Sequence, residues 1–125
     1  SETILVFKEH LPFAGGIDKF TENIHLYKKR APEKKIIAET ENLEDAVKLA
    51  ENGIDGIQFD KVNPANLRDY VRILKGIRND IVLLAAGGIT DENVSGFALS
   101  GVDGIVTSSL FHAKPADMGV KITSV

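Results

Sequence analysis

The chain has 125 residues with 15 basic and 18 acidic side chains, a formal net charge of −3, and this balance argues against a nucleic-acid-binding surface. With 43% hydrophobic and 26% charged residues, the composition is that of an ordinary globular domain, which excludes intrinsic disorder and leaves room for one core rather than two. Cysteine is absent, so a disulfide framework, a thiolate metal site and a cysteine nucleophile are all excluded. No stretch approaches the roughly 18 uninterrupted apolar residues of a membrane span, and Ser1-Glu2-Thr3 lacks the basic segment of a signal peptide. A cytoplasmic location with no membrane partner is therefore expected. An apolar run starting at Ile4, with no initiating Met before it, leads to the expectation that the chain was cut from a longer one.

In chain order, Ile4 to Phe7 reads as a strand and Gly16 to Arg30 as a helix. Phe20, Ile24 and Tyr27 share one face of that helix, and Lys28, Lys29 and Arg30 fall in its last turn, where cations complement the helix dipole. The Lys28 to Lys35 stretch is otherwise expected to be a solvated helix end and loop. Lys35 to Ala38 is the second strand. Asn42 opens a helix by N-capping, with Ala46, Val47, Leu49 and Ala50 as its apolar face and Gly53 as its stop. After a third strand, Gly56 to Phe59, Asn63-Pro64 starts a helix with Leu67, Val71, Ile73 and Leu74 inward. A fourth strand, Ile81 to Ala86, leads to a helix capped by Thr90 and closed by Gly101, and Gly104 to Thr107 is the fifth strand. Apolar runs rich in β-branched residues are the signature of strands covered on both faces.

Strands alternating with helices over short connections predict a parallel sheet of α/β class. An internal repeat sharpens this to a TIM-barrel-like partial (β/α) barrel. Leu49 to Asp60 aligns without gaps to Phe97 to Ser108, 48 residues later, the length of two βα units. The shared Gly-(Ile/Val)-Asp-Gly-Ile reads as helix stop, turn and strand start, so Asp55 and Asp103 are expected to be architectural. About five βα units make little more than half of a barrel of roughly 250 residues.

Chemistry in such a barrel belongs at the C-terminal edge of the strands. There the sequence offers Lys8 and Glu9, then Glu39 and Glu41, Asp60 and Lys61, Gly87-Gly88, and Ser108-Ser109. Glu39 and Asp60 end neighbouring strands. Either they share one hydrated Mg²⁺ ion, which proteins hold with one or two carboxylates plus phosphate oxygens, or each pairs with a lysine such as Lys61 or Lys8. Gly87 and Gly88 lie between a strand and a helix start, where backbone N–H groups receive phosphates, although paired glycines also serve plain turns. Ser108 and Ser109 add hydroxyl donors, and His112 is placed to donate to the same phosphate. Lys8 is either a cation for an anionic ligand or a solvated strand-end lysine. His25 is expected to be solvated, and the three histidines show no zinc spacing.

Several ordered motifs resemble the C-terminal barrel portion of type II nicotinate/quinolinate phosphoribosyltransferases. They are Ile37 to Ala46, Ile57 to Asp60, Ala86 to Val94 and Gly101 to Ile105. Ser1 to His10 and Ile105 to Ile122 look most like the ModD branch, which is associated with molybdenum-transport operons. The resemblance implies a reaction in which phosphoribosyl pyrophosphate and a pyridine carboxylate give a pyridine mononucleotide and pyrophosphate, with carbon dioxide when the acceptor is quinolinate. It implies that Lys8 contacts the substrate, that Glu39 and Asp60 hold the ribose and its Mg²⁺, and that Gly87, Gly88 and Ser108 cradle the 5-phosphate with His112 nearby.

Three departures bear on the acceptor. The quinolinate enzymes read Lys-Asp-Asn-His where this chain has Lys8-Glu9-His10-Leu11; they carry an acidic-serine pair where Leu84-Ala85-Ala86 stands; and Ser108 replaces a glycine. The family's pyridine-binding basic residues lie upstream of the region matched here. The expectation is therefore a phosphate- and Mg²⁺-binding portion, inactive in isolation and taking a phosphorylated small molecule. Two alternatives stand beside it: a homo-oligomer-forming structural segment, and another phosphate-binding β/α enzyme. A partial barrel leaves apolar faces and open sheet edges, so self-association is expected.

Overall fold

The computed structural model describes residues 2–107 and 121–124. Ser108, Ser109 and His112 lie outside the described residues. The elements are β1 (Thr3–Val6), a 3-10 helix (Lys8–Ala14), α1 (Ile17–Arg30), β2 (Lys35–Thr40), α2 (Leu43–Glu51), β3 (Gly56–Asp60), α3 (Pro64–Ile77), β4 (Val82–Ala86), α4 (Val94–Leu99), β5 (Gly104–Thr107) and β6 (Lys121–Ser124). All neighbouring strands pair in parallel, in the order β1-β2-β3-β4-β5-β6. This is the partial (β/α) barrel that the alternating pattern predicts. The sixth strand is an addition to the sequence reading, which ended its strands at Thr107.

The two faces of the sheet differ. Ile36, Ala38, Ile57, Phe59, Leu83, Ala85 and Ile105 alternate along the strands and are almost fully buried, forming the core with the helices. Phe20 and Ile24 of α1, Leu49 of α2, Leu67 and Leu74 of α3, and Phe97 of α4 complete it. Ile73, expected inward, is exposed, because Leu67, Val71 and Leu74 already fill the narrow stripe that faces the sheet. The opposite parity, including Glu39, Gln58, Asp60 and Leu84, lines the other face of the sheet.

Local signals set the helix starts. The Asn42 side chain accepts from the Asp45 N–H at 2.8 Å, and Asn63 accepts from Asn66 at 2.9 Å with Pro64 in the first turn. The Thr90 expectation is corrected. Asn93 accepts from the Thr90 N–H at 2.7 Å and donates to the Gly88 carbonyl at 2.9 Å, so residues 90–93 form a turn and α4 begins at Val94.

The repeat proves to be a structural duplication with a shared polar device. Lys28 at the end of α1 reaches the Asp55 carboxylate at 2.5 Å and the Lys34 carbonyl at 3.1 Å, and Asp55 also accepts from the Ile36 N–H at 2.7 Å. Correspondingly, Lys75 at the end of α3 reaches Asp103 at 2.8 Å and the Ile81 carbonyl at 2.6 Å, and Asp103 accepts from the Leu83 N–H at 2.8 Å. Gly53 and Gly101 occupy matching left-handed positions, at φ 89° and 96°, that turn each helix into its strand. Lys28 is thus a structural cation, not a solvated one, while His25 is exposed as expected.

Burial would raise the Asp55 carboxyl, but the hydrogen bonds from Lys28 and Ile36 outweigh it and hold the group below its ordinary value. A depressed carboxyl stabilises the fold above its unfolded pKa and ceases to do so as pH falls through the folded one. Asp55→Ala is expected to cost about 1–3 kcal/mol at pH 7 by leaving the Ile36 N–H unpaired. Urea denaturation should show that difference from the unaltered chain shrinking below about pH 4.

Candidate functional site

The C-terminal edge gathers charge around Lys8. This residue follows β1 at the start of the 3-10 helix, and its ammonium lies 2.5 Å from Glu41 Oε1 and 2.7 Å from Asp60 Oδ2. Its backbone N–H donates to Glu39 Oε1 at 3.2 Å. One residue thereby ties the ends of β1, β2 and β3. The hydrogen bond to Asp60, then that to Glu41, raises the Lys8 ammonium above the ordinary lysine value, so it is charged at neutral pH.

The carboxylates differ in setting. Glu39 is buried, at 7% exposure, within β2. It pairs in register with Gln58, and Asp60 follows Gln58 by two residues, so Glu39, Gln58 and Asp60 share one face. Asp60 lies at the rim with 16% of its side chain exposed, and Glu41, past the end of β2, is half exposed at 51%. The sequence left open whether Asp60 pairs with a lysine, and Lys8 is that lysine. Glu39 receives a main-chain donor instead of an ammonium. Among the described residues no group of three or more histidine or acidic side chains is placed to hold a metal ion, so Glu39 and Asp60 could give one ion no more than two carboxylates.

Gly87 and Gly88 adopt φ of 82° and 69° in the turn after β4. A Cβ at Gly87 would lie 2.5 Å from Asp60 Oδ1 and 3.0 Å from the Lys61 backbone nitrogen. Gly87 therefore provides the space in which Asp60 sits, a role its sequence context does not announce. Lys61 itself has φ 60°, and its N–H donates to the Ala86 carbonyl at 2.9 Å, which pins the end of β3 to the end of β4. A cleft of about 340 Å³ opens beside this cluster; its walls carry Lys8 and three carboxylates, Glu39, Glu41 and Asp45, together with Asn42 and Gly16, and do not include Asp60 or Gly87.

The structure brings Lys8, Glu39 and Asp60 together, with Gly87 against Asp60. Glu41 is among the strand-end residues that the sequence offers, but its pairing with Lys8 appears only in the structure. Gln58 is not singled out by the sequence, and its place beside Glu39 emerges only from the register.

Residues 1–121 match the family described as quinolinate phosphoribosyl transferase, C-terminal domain. The chain is 31% identical over 122 residues to the ModD protein of Pasteurella multocida, a candidate pyrophosphorylase, covering 98% of this chain and 43% of that protein. It is 30% identical over 122 residues to the carboxylating nicotinate-nucleotide pyrophosphorylase of Homo sapiens, covering 95% of this chain and 40% of that one. The solved structure of the nicotinate-nucleotide pyrophosphorylase from Francisella tularensis superposes with a TM-score of 0.70 at 25% identity, over 82% of this chain and 35% of that one. The chain thus spans about two fifths of the length of the curated relatives it matches. Because the family match runs through nearly every element of the barrel wall, the chain belongs to the quinolinate phosphoribosyl transferase C-terminal domain family.

Proposed function

We propose that this chain is the phosphate- and Mg²⁺-binding portion of a ModD-like phosphoribosyltransferase, acting in the cytoplasm. The reaction would transfer ribose 5-phosphate from phosphoribosyl pyrophosphate to a pyridine-carboxylate-like acceptor. The observation that carries the reading is the meeting of Lys8, Glu39 and Asp60 at the C-terminal edge of a barrel wall of this family. The acceptor-binding part would be supplied from outside this stretch, so the chain alone is expected to be catalytically inactive.

In this proposal Asp60 and Glu39 place negative charge where a cationic ribosyl centre develops, and Lys8 holds an anionic group of the substrate. Gly87 keeps Asp60 in place, while Gly88, Ser108, Ser109 and His112 would offer donors to the 5-phosphate. Mg²⁺, when bound with the substrate through Glu39 and Asp60, would supply charge neutralisation for the departing pyrophosphate.

Exposed apolar residues on the first strand and beside it favour a second property. Ile4 and Phe7 are about two-fifths exposed, and Phe13 is 91% exposed beside an apolar cleft lined by Leu5, Val6 and Phe20. Self-association through these apolar residues is accordingly part of the proposal.

Calorimetric titration with phosphoribosyl pyrophosphate and Mg²⁺ should show binding that Glu39→Ala and Asp60→Ala each weaken by about tenfold or more, the usual scale for losing a charged hydrogen-bonding partner. Equal binding by all forms would refute the site assignment. Gly87→Ala should weaken binding similarly and lower the urea midpoint by an amount equivalent to about 1–3 kcal/mol, because it forces a Cβ into Asp60 and into left-handed backbone. Light scattering at tens of micromolar should report a dimer or larger species; a stable monomer would count against association.

A further inference from the structure

Lys8 has two carboxylate partners, and they are not equivalent. Asp60 is mostly buried at the end of a central strand, with Gly87 closely packed against one oxygen while the other meets Lys8. Glu41 stands one residue past β2, half exposed, at the wall of the 340 Å³ cleft, which Glu39 and Asp45 also line, so that among the described residues Lys8 is the one cation facing an acidic wall. The fixed partner and the free one hold the same ammonium from two strands. An anionic ligand entering that cleft finds Lys8 already neutralised, and it can pair with the ammonium only by taking the place of one carboxylate. Asp60 has little room to retreat. Glu41 can swing into solvent at the cost of an exposed ion pair, which is small.

We infer that Glu41 is a displaceable counter-ion of Lys8, a positioning residue that occupies the ligand's anion position and sets how strongly an anion must bind to claim it. The inference rests on the reading of this edge as a ligand site and adds a residue that governs its selectivity. With Glu41 in place, Lys8 is held extended toward the cleft, and weakly bound or singly charged anions compete poorly. A multiply charged phosphate or carboxylate group gains enough to displace it. The chemistry recognised is an anionic oxygen, which the sugar-phosphate donor and the carboxylate acceptor both carry.

The test is calorimetric titration of the 125-residue chain with inorganic pyrophosphate and, separately, with pyridine-2,3-dicarboxylate, both without metal. The forms compared are the unaltered chain, Glu41→Gln, Lys8→Gln and the double variant. Glu41→Gln should bind at least one of the two anions about two- to fivefold more tightly, on the scale of an exposed ion pair, and the anion that gains identifies which part of the substrate meets Lys8. The gain should vanish when Lys8 is Gln. No gain with either anion overturns the inference. A gain that persists without Lys8 also overturns it, since the effect would then be general repulsion. Loss of metal-dependent phosphoribosyl pyrophosphate binding in Glu39→Ala reports on the underlying site separately, so the two readings fail independently.

Discussion

Parallel strands have no hairpin to fix their register, and in this chain two aspartates supply that constraint from below. Asp55 accepts from the Ile36 N–H of β2 and from Lys28 at the end of α1, and Asp103 accepts from the Leu83 N–H of β4 and from Lys75 at the end of α3. Each clamp locks a helix end, a loop carbonyl and a strand start together. The register then sets everything at the opposite edge. A slip of one residue would move Glu39, Gln58 and Asp60 to the face occupied by Ile57 and Phe59.

In the proposed reading, this arrangement separates stability from chemistry along the strand axis. At the N-terminal ends, charges are paired locally and repeat across the duplication. At the C-terminal ends the symmetry breaks: Asp60 corresponds in the 48-residue repeat to Ser108, and by strand register Glu39, opposite Gln58, corresponds to Ala86, opposite Val106. Arg78 reinforces the scaffold by donating to the Ala50 carbonyl at 3.1 Å and the Ile54 carbonyl at 2.6 Å, closing the end of α2 over the core.

Much of the fold was legible because it depends on local signals. Asn42 and Asn63 cap helices where their sequence neighbours require it, and the Gly-(Ile/Val)-Asp-Gly repeat disclosed both the period and the architectural aspartates. What was not legible depends on tertiary placement. Thr90 has the side chain of a cap, but Asn93 competes for the turn and delays the helix. Ile73 has the hydrophobicity of a core residue but lies off the buried stripe. The candidate site shows the same division. Strand ends single out Lys8, Glu39 and Asp60 as candidates, while the choice of Lys8 as Asp60's partner and the fit of Gly87 against it depend on loop geometry.

In the proposed reading, ligand binding falls at the C-terminal edge, and the repeated aspartate clamps at the N-terminal edge serve the scaffold alone. Amide chemical-shift mapping on titration with phosphoribosyl pyrophosphate and Mg²⁺ tests it most directly. Perturbations are expected to concentrate at Lys8, Glu39, Asp60, Gly87 and Gly88, with the amides of Asp55 and Asp103 unmoved. Perturbations centred on Asp55 and Asp103, or none at the C-terminal edge, would contradict it.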